Sequence, residues 1–163
     1  MEPSVAQAKV MVDELIRCGV TDVVLAPGSR SAPLALELAA AHTRFDIRVH
    51  VRLDERVAGF VALGIGKATG IPAAVVTTSG SAVANLLPAV IEADHSYVPM
   101  LLLTADRPPQ LRGIGANQTI AQTTIFGPHV RSVTDMATAT TSEGQVKYWR
   151  SEVSRAVGIA TDS

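Results

Sequence analysis

Two hydrophobic rhythms alternate along the chain. Near the N-terminus Val5, Ala8, Val12, Leu15 and Ile16 recur at helical spacing, with Ser4 and Gln7 placed as a capping box and Gly19 as a helix stop. Residues 23–26 form a short unbroken apolar run, the mark of a strand buried on both faces. Pro27-Gly28-Ser29 then turns the chain into a helix over 32–41. The exchange repeats with a strand at 47–51, a helix rich in small residues at 56–69, a strand at 73–76, a helix at 81–93 and a strand at 99–103. A polar loop covers 106–118, with a short helix expected after it and a last strand at 130–133. Ser142 with Gln145 reads as a second capping box, opening a helix with Val146, Trp149, Val153, Val157 and Ala160 on one face.

Apolar strands alternating with helices predict an α/β fold. Its expected form is three layers, α/β/α, around a mainly parallel sheet with right-handed crossovers. The 163 residues fit a single domain spanning 1–163. With 47% hydrophobic and 18% charged residues the chain is globular rather than disordered. Its mean hydropathy of +0.27 is high for a soluble monomer, so some apolar surface is expected to meet a partner. A net charge of −1 supplies no basic field for nucleic acid or an anionic membrane. Cys18, the single cysteine, cannot form an internal disulfide, and charges scattered through residues 1–20 exclude a signal peptide. No apolar run reaches membrane-spanning length. The expected compartment is the cytoplasm.

In open parallel sheets ligands gather at the carboxyl ends of strands. Four polar clusters fall there: Pro27-Gly28-Ser29-Arg30-Ser31, Asp54-Glu55-Arg56, Thr77-Thr78-Ser79-Gly80-Ser81 and Thr104-Ala105-Asp106-Arg107-Pro108-Pro109. Each alone reads as helix capping. Together they point to a site. Glu55 leads into a helix with little polar cover, running through Gly59, Phe60, Val61, Ala62, Leu63, Gly64, Ile65 and Gly66. Desolvation there would favour its protonated form, whereas the bland alternative is that Glu55 or Asp54 merely faces the helix N-terminus. Gly59, Gly64, Gly66 and Gly70 each cost a helix roughly 1 kcal/mol relative to Ala, so close approach of another helix is expected. Pro88 should kink the 81–93 helix, and these two helices should pack on each other or on another subunit. There is no Walker loop, dinucleotide fingerprint or nucleophile elbow. His42, His50, His95 and His129 lack metal-ligand spacing, so structural roles and no metal site in this chain are expected.

Taken in order, Leu25-Ala26-Pro27-Gly28-Ser29-Arg30-Ser31, Asp54-Glu55-Arg56, Thr78-Ser79-Gly80-Ser81-Ala82-Val83-Ala84-Asn85-Leu86, Leu103-Thr104-Ala105-Asp106-Arg107-Pro108-Pro109 and Gly115-Ala116-Asn117-Gln118 form a pattern. Over about the first 130 residues the chain resembles the 2-succinyl-5-enolpyruvyl-6-hydroxy-3-cyclohexene-1-carboxylate synthases, thiamine diphosphate enzymes of menaquinone biosynthesis. The resemblance implies a thiamine diphosphate-binding, pyrimidine-domain fold. It implies an enzyme that decarboxylates 2-oxoglutarate and adds the succinyl unit to isochorismate, with Mg2+ or Mn2+ beside the cofactor. The family's full chain has three domains, and its central and C-terminal domains are absent from this sequence. The diphosphate and the metal bind a Gly-Asp-Gly motif of the C-terminal domain of a second subunit, and this chain has no such motif. A homo-oligomer, dimer or tetramer, with a shared active site is therefore implied. The fragment alone is expected to be inactive and to self-associate through its Gly-rich helix.

By the same resemblance Glu55 is catalytic, hydrogen-bonding a ring nitrogen of the cofactor pyrimidine and favouring its imino tautomer. Pro27, Gly28, Thr78, Ser79 and Gly80 would line the cofactor, and Ser29, Arg30, Arg107, Asn117 and Gln118 would contact substrate. Bland readings remain beside these: a surface salt bridge for Arg107 and a turn former for Asn117. Two other functions stay open. One is a sister thiamine diphosphate enzyme, of the acetolactate synthase or 2-oxo acid decarboxylase type. The other is a non-catalytic regulatory domain with a flavodoxin-like sheet.

Overall fold

A computed structural model describes residues 1–44 and 46–162. Ten regular elements follow in the order α1 (Pro3–Arg17), β1 (Asp22–Leu25), α2 (Ala32–Thr43), β2 (Arg48–Val51), α3 (Glu55–Thr69), β3 (Ala73–Thr77), α4 (Ser81–Ala84), α5 (Leu87–His95), β4 (Met100–Thr104) and α6 (Gln145–Thr161). Short 3-10 turns punctuate the loops at Ser29–Ser31, Pro109–Leu111, Gln122–Thr124 and Gly127–His129.

The strands form one parallel sheet in the order β2-β1-β3-β4. Alternate residues of each strand point into opposite layers. Val23, Leu25, Ala74, Val76 and Leu101 face α1, α2 and α6 through Met11, Val12, Leu15, Leu38, Val153 and Val157. Val24, Ala26, Ala73 and Val75 face α3, α4 and α5 through Ala58, Ala62, Val83 and Val90. This is the expected three-layer α/β/α architecture. Each fully buried valine contributes about 1.5–3 kcal/mol of transfer free energy, which is why the apolar runs are continuous rather than alternating.

Helix ends differ from the expectation at three places. Helix α1 begins at Pro3, whose fixed φ pre-organises a first turn, so Ser4 lies inside the helix and no side chain caps it. Gly144, at φ +86°, precedes α6, and Ser142 hydrogen-bonds Thr140 Oγ1 instead of capping. Pro88 does not kink one helix. The chain breaks into α4 and α5, and Pro88 takes the second position of α5, where no N–H is needed. The α3 glycines divide by role. A Cβ on Gly59 would stand 2.9 Å from Ala89 Cβ, so α3 and α5 do pack closely, and one on Gly66 would stand 2.7 Å from the Pro99 carbonyl. Gly70 ends α3 at φ +72°, whereas Gly64 has no neighbour within 4 Å.

The strand expected at 130–133 is not formed. Arg131 reaches the Ile159 carbonyl near the end of α6, and Asp135 pairs with Arg112 beyond β4, so the segment runs alongside β4 without joining it. A cavity of about 680 Å³ lies between, bounded by Met100, Leu102, Val130, Val133, Val153 and Phe126 among others. With no ladder to join, the β-branched Val130 and Val133 have no partner that would make them a strand.

Asp22 opens β1 at the amino edge of the sheet and is only 4% exposed. It accepts from Arg48 Nε and Nη2 at 2.9 and 2.6 Å, from His50 Nε2 at 2.8 Å and from Thr21 Oγ1 at 2.8 Å. The Arg48 hydrogen bonds chiefly hold its carboxyl well below the usual carboxylate range, against the opposing effect of burial. A depressed folded-state pKa stabilises the fold above the unfolded value of about 3.9 and loses that contribution as pH falls below it. Asp22→Asn should therefore flatten the acid limb of a stability-against-pH curve, read by urea melts from pH 6 downward. In the same assay at neutral pH, Gly59→Val should cost about 1–3 kcal/mol by overpacking against Ala89. Gly64→Ala should instead add roughly 0.5–1 kcal/mol, because it gains helix propensity and meets nothing.

Candidate functional site

From β1 the chain winds to β2 on one side, and from β3 it winds to β4 on the other. The reversal leaves a crevice above the carboxyl ends of β1 and β3, the position where doubly wound sheets bind ligands. The turn after β1 and the turn after β3 flank it. Gly28 is extended there, at φ −164°, so its backbone suits any residue. What excludes a side chain is space, because a Cβ would stand 2.4 Å from Thr78 Cβ.

The polar side chains of the two turns are tied together by the loop after β4. Ser79 is fully buried, and its Oγ donates to the Gln118 carbonyl at 2.8 Å and accepts from Arg30 Nη1 at 3.2 Å. Arg30 Nη1 also donates to Gln118 Oε1 at 2.8 Å, and its Nη2 to the Asn117 carbonyl at 3.3 Å. Gln118 Nε2 returns a bond to the Ser79 carbonyl at 2.9 Å. Gln118 adopts φ +56°, and a Cβ on Gly80, itself at φ +80°, would stand 2.8 Å from Gln118 Cγ. Arg107 Nη2 donates to the same Asn117 carbonyl at 3.3 Å. The buried Nε of Arg107 donates to no group among the described residues.

The structure thus gathers Arg30, Thr78, Ser79, Gly80, Arg107, Asn117 and Gln118 into one network, with Gly28 pressed on Thr78. Asn117 enters it through its backbone carbonyl. Pro27 and Ser29 are exposed on the same turn and their side chains make no hydrogen bond among the described residues. Glu55 stands apart as the first residue of α3. Asp54 caps that helix, accepting from Val57 N at 3.0 Å, which leaves Glu55 free of any side-chain partner among the described residues. The desolvation expected of Glu55 is not complete in this chain. The residue is half-buried, and its chain neighbours Leu53 and Phe60 are 86% and 44% exposed.

Two residues of the network escaped the sequence reading. Gln122 is buried, accepts from Gly80 N at 2.8 Å and donates to the Ala105 carbonyl at 3.0 Å. Arg112 donates to Asp135 at 2.6 and 2.9 Å and to the Arg107 carbonyl at 3.1 Å, and pairs with Asp106 at 3.0 Å. The Asp135 hydrogen bonds raise the pKa of Arg112, and Arg112 in turn holds Asp135 below its ordinary value. Nothing in one-dimensional spacing marks either residue. The histidines make structural contacts: His42 with the Ile47 carbonyl, His50 with Asp22 and His129 with Asp94. Asp94, His95 and His129 do converge, with polar atoms within 4.8 Å of one another, which their sequence separation concealed.

The family described as "Thiamine pyrophosphate enzyme, N-terminal TPP binding domain" matches residues 6–125 of this chain. The chain belongs to that family. All the network residues described above lie inside the matched region of this thiamine pyrophosphate enzyme N-terminal domain. Among curated relatives, a 2-succinyl-5-enolpyruvyl-6-hydroxy-3-cyclohexene-1-carboxylate synthase of Saccharopolyspora erythraea is 54% identical over 98% of the chain and 29% of its own length. The enzyme of the same name from Thermobifida fusca is 55% identical over 98% of the chain and 28% of its length. That from Mycobacterium avium is 50% identical over 100% of the chain and 31% of its length. The chain therefore spans about 30% of the length of these relatives. No helix among the described residues is long and apolar enough to cross a membrane.

The closest steric lock of this domain generates a double-mutant prediction. Gly28→Ala should destabilise the chain by about 1–3 kcal/mol, and Thr78→Gly in the same chain should recover part of that loss. The check is a urea-denaturation cycle on the two single variants and the double variant.

Proposed function

We propose that this chain is the N-terminal, pyrimidine-binding domain of a thiamine diphosphate-dependent 2-succinyl-5-enolpyruvyl-6-hydroxy-3-cyclohexene-1-carboxylate synthase of menaquinone biosynthesis. The supporting observation is the pair of groups at one sheet edge that have no partner among the described residues: the Glu55 carboxylate and the buried Nε–H of Arg107. These groups suit a cofactor and a polycarboxylate substrate. Glu55 offers an acceptor to a pyrimidine ring nitrogen. Pro27, Gly28, Thr78, Ser79 and Gly80, on the turns after β1 and β3, are the positions proposed to line the cofactor.

When bound, thiamine diphosphate supplies the carbanion-generating chemistry of 2-oxo acid decarboxylation. The chain's own part is placement and charge. Glu55 Oε holds a proton shared with the ring nitrogen. Arg30 and Arg107 present planar forks that pair with the carboxylates of 2-oxoglutarate and isochorismate. Ser29, the Asn117 amide and Gln118 add hydrogen bonds to hydroxyl or carboxylate oxygens. The diphosphate and its Mg2+ or Mn2+ would lie on a domain beyond this chain, which has no Gly-Asp-Gly. A homodimer or tetramer would complete the site. A second subunit over Leu53, Val57 and Phe60 would exclude water from Glu55 and strengthen its hydrogen bond. The 163-residue chain alone is then inactive. The cytoplasm is the fitting compartment, with small molecules rather than nucleic acid as ligands.

The test uses the full-length protein with thiamine diphosphate, Mg2+, 2-oxoglutarate and isochorismate. Loss of isochorismate absorbance that depends on both the cofactor and 2-oxoglutarate is the expected result. Turnover of pyruvate or another 2-oxo acid instead would move the domain to a sister enzyme. Glu55→Gln should lower turnover by about 10²-fold or more with folding intact. Wild-type turnover in that variant would remove Glu55 from the chemistry.

A further inference from the structure

The network over the crevice has a keystone that touches no substrate-facing position. Gln122 is 8% exposed at the start of the Gln122–Thr124 turn. Both ends of its carboxamide are used. Oε1 accepts from Gly80 N at 2.8 Å, and Nε2 donates to the Ala105 carbonyl at 3.0 Å. Gly80 N–H belongs to the turn after β3, and the Ala105 carbonyl to the turn after β4. Ala105 N in turn extends the sheet ladder to the Thr77 carbonyl at 3.0 Å. One side chain therefore spans two strand ends and anchors the loop that carries Asn117 and Gln118.

We propose that Gln122 is a positioning residue of the substrate face: by clamping Gly80 N–H to the Ala105 carbonyl it fixes Gln118 and Asn117 against Ser79 and Arg30, and so sets where Arg30 and Arg107 present their forks. The inference rests on the reading that this face takes the carboxylate substrates. Its physical basis is the cost of leaving buried polar groups unpaired. Without the carboxamide, Gly80 N–H and the Ala105 carbonyl lose their partner in a buried place, and the loop must shift or admit water to satisfy them. Gln118, at φ +56°, and Gly80, at φ +80°, are in close contact, so a small displacement of either opens the bonds from Arg30. Among the described residues, no other side chain bonds both Gly80 N–H and the Ala105 carbonyl. Glutamate at this position could still accept from Gly80 N–H, but as a carboxylate it would oppose the Ala105 carbonyl with a second acceptor. Methionine would keep the volume and lose both bonds.

Two measurements test the clamp. The first is amide hydrogen exchange of the 163-residue chain, wild type against Gln122→Met and Gln122→Glu. In the Met variant, exchange at Gly80 and at Ala105, whose N–H donates to the Thr77 carbonyl, should rise at least tenfold while Val75 in β3 and Val153 in α6 stay within twofold. The Glu variant should keep Gly80 protected and raise exchange at Ala105 alone. Unchanged exchange at Gly80 and Ala105 in the Met variant would overturn the proposal, and so would a uniform rise that includes Val75 and Val153, because that would make Gln122 an ordinary core residue. If the Met variant does not fold, the Glu variant tests the Ala105 half of the clamp, and unchanged exchange at Ala105 would overturn the proposal. The second measurement is steady-state kinetics of the full-length protein carrying each variant. The expected split is a KM for the carboxylate substrates raised about tenfold with kcat within about threefold. A loss confined to kcat would overturn the positioning role. If the wild-type protein turns over neither substrate, the functional reading fails, while the exchange experiment still decides whether the clamp exists.

Discussion

The contact on which this structure depends is the one between the turns that follow β1 and β3. Gly28 lies so close to Thr78 that no side chain fits between them. The two turns can meet only because Val23, Val24 and Leu25 pair in register with Ala74, Val75 and Val76 beneath them. Those strands are buried on both faces, so neither can slide without exposing apolar surface to water. The crevice at the switch point is therefore rigid at its base.

On that base the polar groups are arranged by mutual satisfaction. Ser79 is fully buried and must find partners, which Gln118 and Arg30 supply. Arg30 is held by three acceptors, and its guanidinium is fixed rather than free to sample solvent. Arg112 and Gln122 pin the loop from outside and beneath. A network of this kind reduces the rearrangement needed when a ligand arrives, which is how preorganisation improves both affinity and rate. Among the described residues, Glu55 and Arg107 Nε are left without a partner beside this network, and Arg107 Nε is buried.

The apolar surface is distributed in the same purposeful way. One part lies beside Glu55, at Leu53, Val57 and Phe60, and another lines the cavity along β4. The mean hydropathy anticipated such surface, although it could not say where. The tight helix pair α3–α5 consumes Gly59 in contact with Ala89, whereas Gly64 faces outward. The same residue type therefore serves an internal contact at one position and an open surface at another.

Element type and order were legible in the chain because continuous apolar runs and helical spacing are local signals. The four parallel strands, the three layers and the polar strand ends all followed from them, as did Gly19 as a stop, whereas Gly70, grouped in the sequence with the packing glycines, turned out to end α3. Most of the network residues were also within reach, because they cluster in short motifs after strands. Other features were decided only in three dimensions. Residues 130–133 have the composition of a strand, yet a ladder needs a neighbour, and β4 lies across a cavity from them. Pro88 begins a helix instead of bending one, a choice set by how α4 and α5 pack. Glu55 is half-buried because burial depends on what covers a side chain, and local sequence carries no record of that. Gln122 and Arg112 act through partners 42 and 23 positions away, and hydrogen bonds across such separations leave no periodic trace in the sequence.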